Sequence, residues 1–192
     1  KPGWAKGCNI SPDDARRLSD KLFSRLGMTD FELVSSQVAE PLTERGNRAK
    51  RGRYEYKYVQ VADGIPLSSG EPDSTGCTVA IDDRGVVDAR LTRLELGESK
   101  IVNSRVMTLD GVLAVLQKKL AAAGLVKDSI VKEISFEYMS VEDPETYNST
   151  VFPCWRFCIA TTATLEQYGE YENDIIINAV TGEFYAVTNR YE

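Results

Sequence analysis

NDIIINAVTGEFYAVT, residues 173–188, carries two apolar runs around a polar turn. Ile175, Ile176 and Ile177 form the first run, Phe184 to Val187 the second, and Gly182 lies between them. Short apolar runs bounded by turn residues read as strands, and a glycine between them can take the positive φ of a tight reversal. The stretch predicts an antiparallel hairpin at the end of the chain, with Gly182 as a turn glycine rather than a ligand contact.

The same landmarks stand 97 residues earlier: Gly85, in IDDRGVV, maps onto Gly182. By the same shift Ser11 maps to Thr108, Asp13 to Asp110, Ala15 to Val112, Leu18 to Val115, Phe23 to Leu120 and Gly27 to Gly124. Tyr54 to Tyr58 falls on Val151 to Trp155. One position fails, since Leu22 lands on Lys119, so the second helix is expected to be slightly rotated or to bury a narrower face. The order helix, strands, closing hairpin is therefore expected twice. The expected fold class is α+β: two similar units, each a helix packed on a three- to four-stranded antiparallel sheet. The expected divisions are a tail at 1–10, a first unit at 11–97, a linker at 98–107 and a second unit at 108–192.

Both helices announce their starts. Ser11 precedes Pro12, Asp13 and Asp14, which supplies an N-cap, a proline at the first helical position and acids in the first turn. Ala15, Leu18, Leu22 and Leu26 follow as an apolar stripe that Phe23 widens, and Gly27 ends it. The second helix opens at Thr108 with Asp110 in its first turn, runs through Val112, Val115, Leu116 and Leu120, and stops at Gly124; Lys118 and Lys119 fall towards its solvated side.

Strands are expected at 31–42, with a break near Pro41, and at YEYKYVQV, where Tyr54, Tyr56 and Tyr58 alternate with Glu55 and Lys57. GIPLSSGEPDSTG reads as turn, and CTVAI and VVDARLTRL flank the turn DDRG. Residues 130–141 place Ile134, Phe136 and Tyr138 on one face. The long strand 151–165 has Pro153 near its start, which argues for an edge or strand-start position. Trp155 and Phe157 share its core face, while Cys154, Arg156 and Cys158 take the other, where a partly buried Arg156 needs a carboxylate or carbonyl partner. Trp4 falls in the tail.

Composition bounds the functions. The 192 residues are 42% hydrophobic and 27% charged, enough for a real core. No run approaches the roughly 18–20 apolar residues that cross a bilayer. The opening KPGWAKGCNI has no leader pattern and no Met, which reads as a trimmed or mature chain. A net charge of −6, from 23 basic and 29 acidic residues, argues against a nucleic-acid binder. Cys8, Cys77, Cys154 and Cys158 leave three readings: buried thiols, one or two disulfides with Cys8–Cys77 as a candidate pair, or a metal site with poor spacing. Within one strand Cys154 and Cys158 are separated by roughly 13 Å and cannot bridge each other.

VTGEF in INAVTGEFY resembles the closing hairpin of PepSY-like domains, where a strand ends in a D/N-A-x-T-G-E/K-V turn. YKYVQVADGIPLSSGEP followed by TVAIDDRGVV is similar to the same element in tandem PepSY-like and YcdB-like exported bacterial proteins, and membrane-anchored regulators of the YycH and YycI type share a related architecture. The first copy departs from the pattern, with DDRG where A-x-T-G is expected, and no N-terminal anchor is present in this sequence. The resemblance implies an extracytoplasmic or cell-surface, non-catalytic module, exported as a lipoprotein or on an anchor. Such modules bind or inhibit peptidases, or regulate envelope partners, so a protein or peptide partner is implied and no cofactor.

The chemistry-bearing residues are few. With no histidine, Ser-His-Asp and Cys-His sites are impossible in this chain. No P-loop and no dinucleotide glycine spacing occur. The dense carboxylates are Asp82 with Asp83, and Glu166, Glu170 and Glu172 with Asp174; both groups are expected in turns. They keep two alternatives open, a small carboxylate-dependent hydrolase and calcium binding. Arg45, Arg48, Lys50, Arg51 and Arg53 form the sharpest charge cluster and offer a third, anion binding through residues 45–53 or contact with a partner's acidic patch. Solvated turns and a solvated loop are the plain readings of both groups.

Overall fold

The computed structural model describes residues 3, 5–39, 43–44, 47–48, 52–68, 76–97, 105–124, 129–142, 149–161 and 173–187. In chain order the elements are α1 (Pro12–Arg25), β1 (Phe31–Ala39), β2 (Thr43–Glu44), β3 (Asn47–Arg48), β4 (Arg53–Ala62), β5 (Ile65–Ser68), β6 (Cys77–Asp82), β7 (Gly85–Leu91), α2 (Leu109–Ala122), β8 (Ser129–Glu142), β9 (Ser149–Thr161), β10 (Asn173–Asn178) and β11 (Phe184–Val187). The chain is α+β, with two helices among the described residues and strands that pair antiparallel except β5 with β8. Two compact units divide it: Lys1–Gly64 with Thr75–Glu95, and Ile65–Ser74 with Leu96–Glu192.

In the first unit β1, β4, β6 and β7 lie side by side, each antiparallel to its neighbour. Ser11 caps α1 by accepting from the Asp14 amide. The alternation of β4 puts Tyr54, Tyr56 and Tyr58 on the helix side, where they are buried with Cys77, Val79 and Ile81. Each hydroxyl finds a partner on or just before α1: Tyr54 donates to the Ile10 carbonyl (3.2 Å), Tyr56 to the Pro12 carbonyl (3.0 Å), and Tyr58 to Ser19 Oγ in mid-helix (2.6 Å). Burying three phenol rings with their tips satisfied contributes roughly 1.5–3 kcal/mol each.

The buried column of α1 is Ala15, Ser19 and Phe23, four residues apart. This corrects the expected leucine stripe, since Leu18 and Leu26 are exposed and Leu22 is only partly buried. Small residues at Ala15 and Ser19 leave room for the large tyrosines beneath, and Phe23 stacks on Tyr58 at 4.1 Å between centroids. Residues 5–8 are also not a loose tail. Ala5 and Cys8 belong to this core, the Ala5 amide donates to Tyr54 Oη (3.1 Å), and the Gly52 amide donates to the Lys6 carbonyl (2.7 Å).

In the second unit β8, β9, β10 and β11 form an antiparallel run, with β5 parallel to β8 on the outer side. Thr108 caps α2 by accepting from the Gly111 amide, and the helix buries Val112 and Leu116 against Phe157, Ile159 and Ile177. Trp155 packs beside them and donates from Nε1 to the Met107 carbonyl at 3.2 Å. Met107 in turn donates its amide to the Ala179 carbonyl (2.7 Å), which fixes the approach to α2.

The stretch 64–76, read as turn, contains β5, with Leu67 opposite Tyr138 and Ser68 opposite Met139. The Asp63–Gly64 pair just before β5, with both residues at positive φ (52° and 75°), is a local hairpin signal that the turn reading passes over, while Pro66 masks the strand pattern and the parallel partner β8 is remote in sequence. Pro153 lies inside β9 rather than at its start. Its carbonyl accepts from the Ala179 amide, so its nitrogen faces the same side, where β10 has already ended at Asn178. No ladder donor is lost there. Of the expected linker, residues 98–104 lie outside the described residues, as does Trp4.

Candidate functional site

A buried group of charged side chains is built on the face of the second sheet that carries Cys154, Arg156 and Cys158. The alternation that sends Trp155 and Phe157 towards α2 sends Arg156 the other way. Antiparallel register places Glu137 opposite Cys154 and Asp174 opposite Cys158, so the two acids flank Arg156 diagonally from the neighbouring strands. Arg156 Nε donates to Glu137 Oε1 at 2.5 Å and Nη1 to Asp174 Oδ2 at 2.9 Å. Its Nη2 donates to Ser68 Oγ at 2.8 Å, and that hydroxyl donates to Glu137 at 3.3 Å. One guanidinium thus joins β5, β8, β9 and β10.

The cluster is nearly dry. Side-chain exposure is 12% for Arg156, 9% for Glu137 and 1% for Asp174. Two carboxylates share one cation. Burial pushes the Glu137 carboxyl above its ordinary value, against the charge and hydrogen bonds of Arg156 and the bond from Ser68, while the Asp174 charge pushes it further up. The neighbouring Cys154 thiol is pushed up to about 12, by burial first and then by Glu137. A thiol held neutral in this way is a poor nucleophile. Both carboxylates are committed to the same guanidinium, so the arrangement binds strands together rather than presenting an acid and a base across a cleft.

The other sequence-predicted residues are dispersed. Arg45, Lys50 and Arg51 lie outside the described residues, and Arg48 is in β3, which pairs with β2 through Thr43 opposite Arg48. Arg53 starts β4 and is bound to Glu55, with Nε at 2.8 Å, while Gln37 Nε2 donates to the same carboxylate (3.1 Å). Its charge is therefore already balanced. Asp82 is not an exposed turn residue: it is buried at the end of β6 and accepts from Arg84 at 2.5 Å and from the Arg84 amide at 2.8 Å. Asp174 likewise belongs to β10 and not to the preceding acidic turn, whose Glu166, Glu170 and Glu172 lie outside the described residues. Among the described residues no group of three or more Cys, Asp or Glu is placed to hold a metal ion. All four cysteines are buried thiols and none is in a disulfide. Gly85 and Gly182 both take positive φ, 108° and 75°.

Sequence reasoning anticipated that Arg156 needs a partner but named neither Glu137 nor Ser68. The signal for Glu137 was present, since it falls on the face of β8 opposite Phe136 and Tyr138, the face that Arg156 shares.

No family model matches the chain, and no curated protein matches it. In fold it is similar to the crystal structure of an uncharacterized protein from Eubacterium rectale ATCC 33656, with a TM-score of 0.57 and 18% sequence identity. The match covers 93% of this chain and 56% of that one, so the chain spans little more than half the length of this structural relative. At that identity the likeness concerns the fold alone. No helix among the described residues is long and apolar enough to cross a membrane.

Proposed function

We propose that the chain is a tandem of two PepSY-like units acting as a non-catalytic binding or regulatory module outside the cytoplasm, with a peptidase or another envelope protein as partner. The observation that supports the tandem reading is the order of elements: in each unit a capped helix precedes an antiparallel run of four strands, β1, β4, β6 and β7 in the first, with β2, β3 and β5 intervening in the chain, and β8 to β11 in the second. Ninety-seven residues separate Pro12 from Leu109, and the same number separates Arg25 from Ala122. The buried column Ala15, Ser19, Phe23 then falls on Val112, Leu116, Leu120, so the mismatch of Leu22 with Lys119 lies on the flank and calls for no rotation. Positive φ at both Gly85 and Gly182 fits the same reading. The non-catalytic part is supported by the commitment of Glu137 and Asp174 to Arg156, and of Asp82 to Arg84.

The test is quantitative capture on the immobilised chain from solubilised envelope and from soluble fractions of the source cell, with unlabelled chain as competitor. The reading expects one envelope protein that is enriched and competed away saturably. It is overturned if nothing is competed, or if the chain turns over peptide, ester or glycoside substrates with activity lost in Glu137→Gln or Asp174→Asn. Binding to heparin that falls steeply with salt would favour the anion-binding alternative through residues 45–53; the pairing of Arg53 with Glu55 already weakens that alternative.

A further inference from the structure

The outer edge of the first sheet carries a pattern that is complementary to itself. β7 pairs only with β6 among the described residues, so its other side offers unpaired backbone groups. Its sequence is GVVDARL, and Val86, Val87 and Leu91 are 43%, 38% and 39% exposed. The register shift of β7 lies at its hairpin end, between Ala80 and Ile81 of β6, and Asp88 to Leu91 run opposite Ala80 to Cys77 without interruption.

Exposed edges usually carry like charges that repel a second copy. Here Asp88 and Arg90 flank Ala89, and all three are exposed. Asp88 and Arg90 lie opposite Ala80 and Thr78, on the face away from α1, while Ala89 and Leu91 lie opposite the buried Val79 and Cys77. An antiparallel two-fold through Ala89 sets Asp88 against Arg90 of the second copy, twice, and brings Leu91 of each copy next to Val87 of the other, which is the extra residue of the bulge, since Val86 pairs with Ile81 and Asp88 with Ala80. Charge meets opposite charge on one face, within the uninterrupted stretch, and apolar residues adjoin at its ends. β1, at the other edge, pairs no opposite charges about any centre: around Ser35, Glu32 would face the apolar Val38, and around Ser36 Val34 would face Val38 with no charge pair beside it.

We infer that β7 is a self-association edge, and that its occupant is β7 of a second copy, joining two first-unit sheets into one antiparallel sheet. The ladder is short, so the expected dissociation constant is micromolar, roughly 1–100 µM.

Sedimentation velocity of the full chain tests this. The wild type should show a reversible monomer–dimer equilibrium. Asp88→Arg or Arg90→Asp places like charges opposite each other at two symmetric positions and should weaken the dimer about tenfold or more. The double variant Asp88→Arg/Arg90→Asp restores the complement and should return to within about threefold of wild type. Ala89→Cys sits on the two-fold, where facing Cα atoms are roughly 4.5–5.5 Å apart and within disulfide reach, so mild oxidant should give a covalent dimer. A wild type that stays monomeric to about 1 mM (far above the expected range) overturns the inference. So does a dimer unmoved by either single reversal, one the double variant fails to restore, or one in which Ala89→Cys does not cross-link.

Discussion

Replacing Arg156 by Met removes the cation that holds Glu137 and Asp174 and leaves both carboxylates buried, 9% and 1% exposed, on neighbouring strands of β9. Methionine keeps most of the side-chain length, so the packing loss is small and the change is mainly electrostatic. Breaking a buried ion pair by removing one partner costs about 3–5 kcal/mol, against about 0–1 kcal/mol for an exposed pair such as Arg16–Asp20. At an m-value of about 2 kcal/mol/M, the urea midpoint of the second unit falls by roughly 2 M. The sign of the pH dependence separates this from a packing defect. Glu137 already titrates above its ordinary value because of burial, and losing Arg156 removes the charge and hydrogen bond that oppose that rise, leaving only the bond from Ser68. A carboxyl whose folded value lies above its unfolded value binds a proton more readily when folded. Stability therefore rises as pH falls through the folded value towards the ordinary glutamate value, and is lost as pH rises through it. The deficit of Arg156→Met should be largest near pH 8 and shrink towards pH 5. Urea unfolding followed by Trp155 fluorescence at both pH values measures it. A deficit under about 1 kcal/mol, or one that does not change with pH, refutes the account of this cluster.

Three further outcomes are expected. Gly76→Ala should cost at least about 2–3 kcal/mol, since a Cβ there lies 2.6 Å from the Tyr58 carbonyl oxygen at a φ of +136°; Gly182→Ala, at a φ of +75° with only side-chain neighbours, should cost about 1–2 kcal/mol, and thermal unfolding ranks the two. Tyr58→Phe should lose about 1–3 kcal/mol by stranding buried Ser19, and adding Ser19→Ala should recover part of it, which a double-mutant cycle reads directly. Thiol labelling of the native protein should be slow at all four buried cysteines, slowest at Cys154, and fast after unfolding; rapid native labelling at Cys154 would contradict its neutral, buried state.

What could be read from the sequence was what depends on near neighbours. Ser11 and Thr108 as caps and the alternation of Tyr54, Tyr56 and Tyr58 each follow from a few adjacent residues, and each stands in the structure as expected. What was not legible depends on distant partners. Ser19 is buried because Tyr58 satisfies its hydroxyl across the core, and Ala5 is buried because Tyr54 reaches its amide. Neither contact leaves a local mark, so a leucine stripe and a loose tail were the natural expectations. The ion cluster was half legible: period-two alternation places Arg156 off the apolar face, but only strand register brings Glu137 and Asp174 to it. β5 was half legible too: the Asp63–Gly64 turn before it is a local signal, but its parallel partner β8 is remote.

Each unit is built around its own helix and core. Hydrogen exchange of the full chain, compared between wild type, Gly76→Ala and Arg156→Met, shows whether the two cores open separately. Gly76→Ala should raise exchange across β1, β4, β6 and β7 and leave β8 to β10 near wild type, and Arg156→Met should do the reverse. If both variants raise exchange equally along the whole chain, the two cores are one cooperative body and the account is wrong.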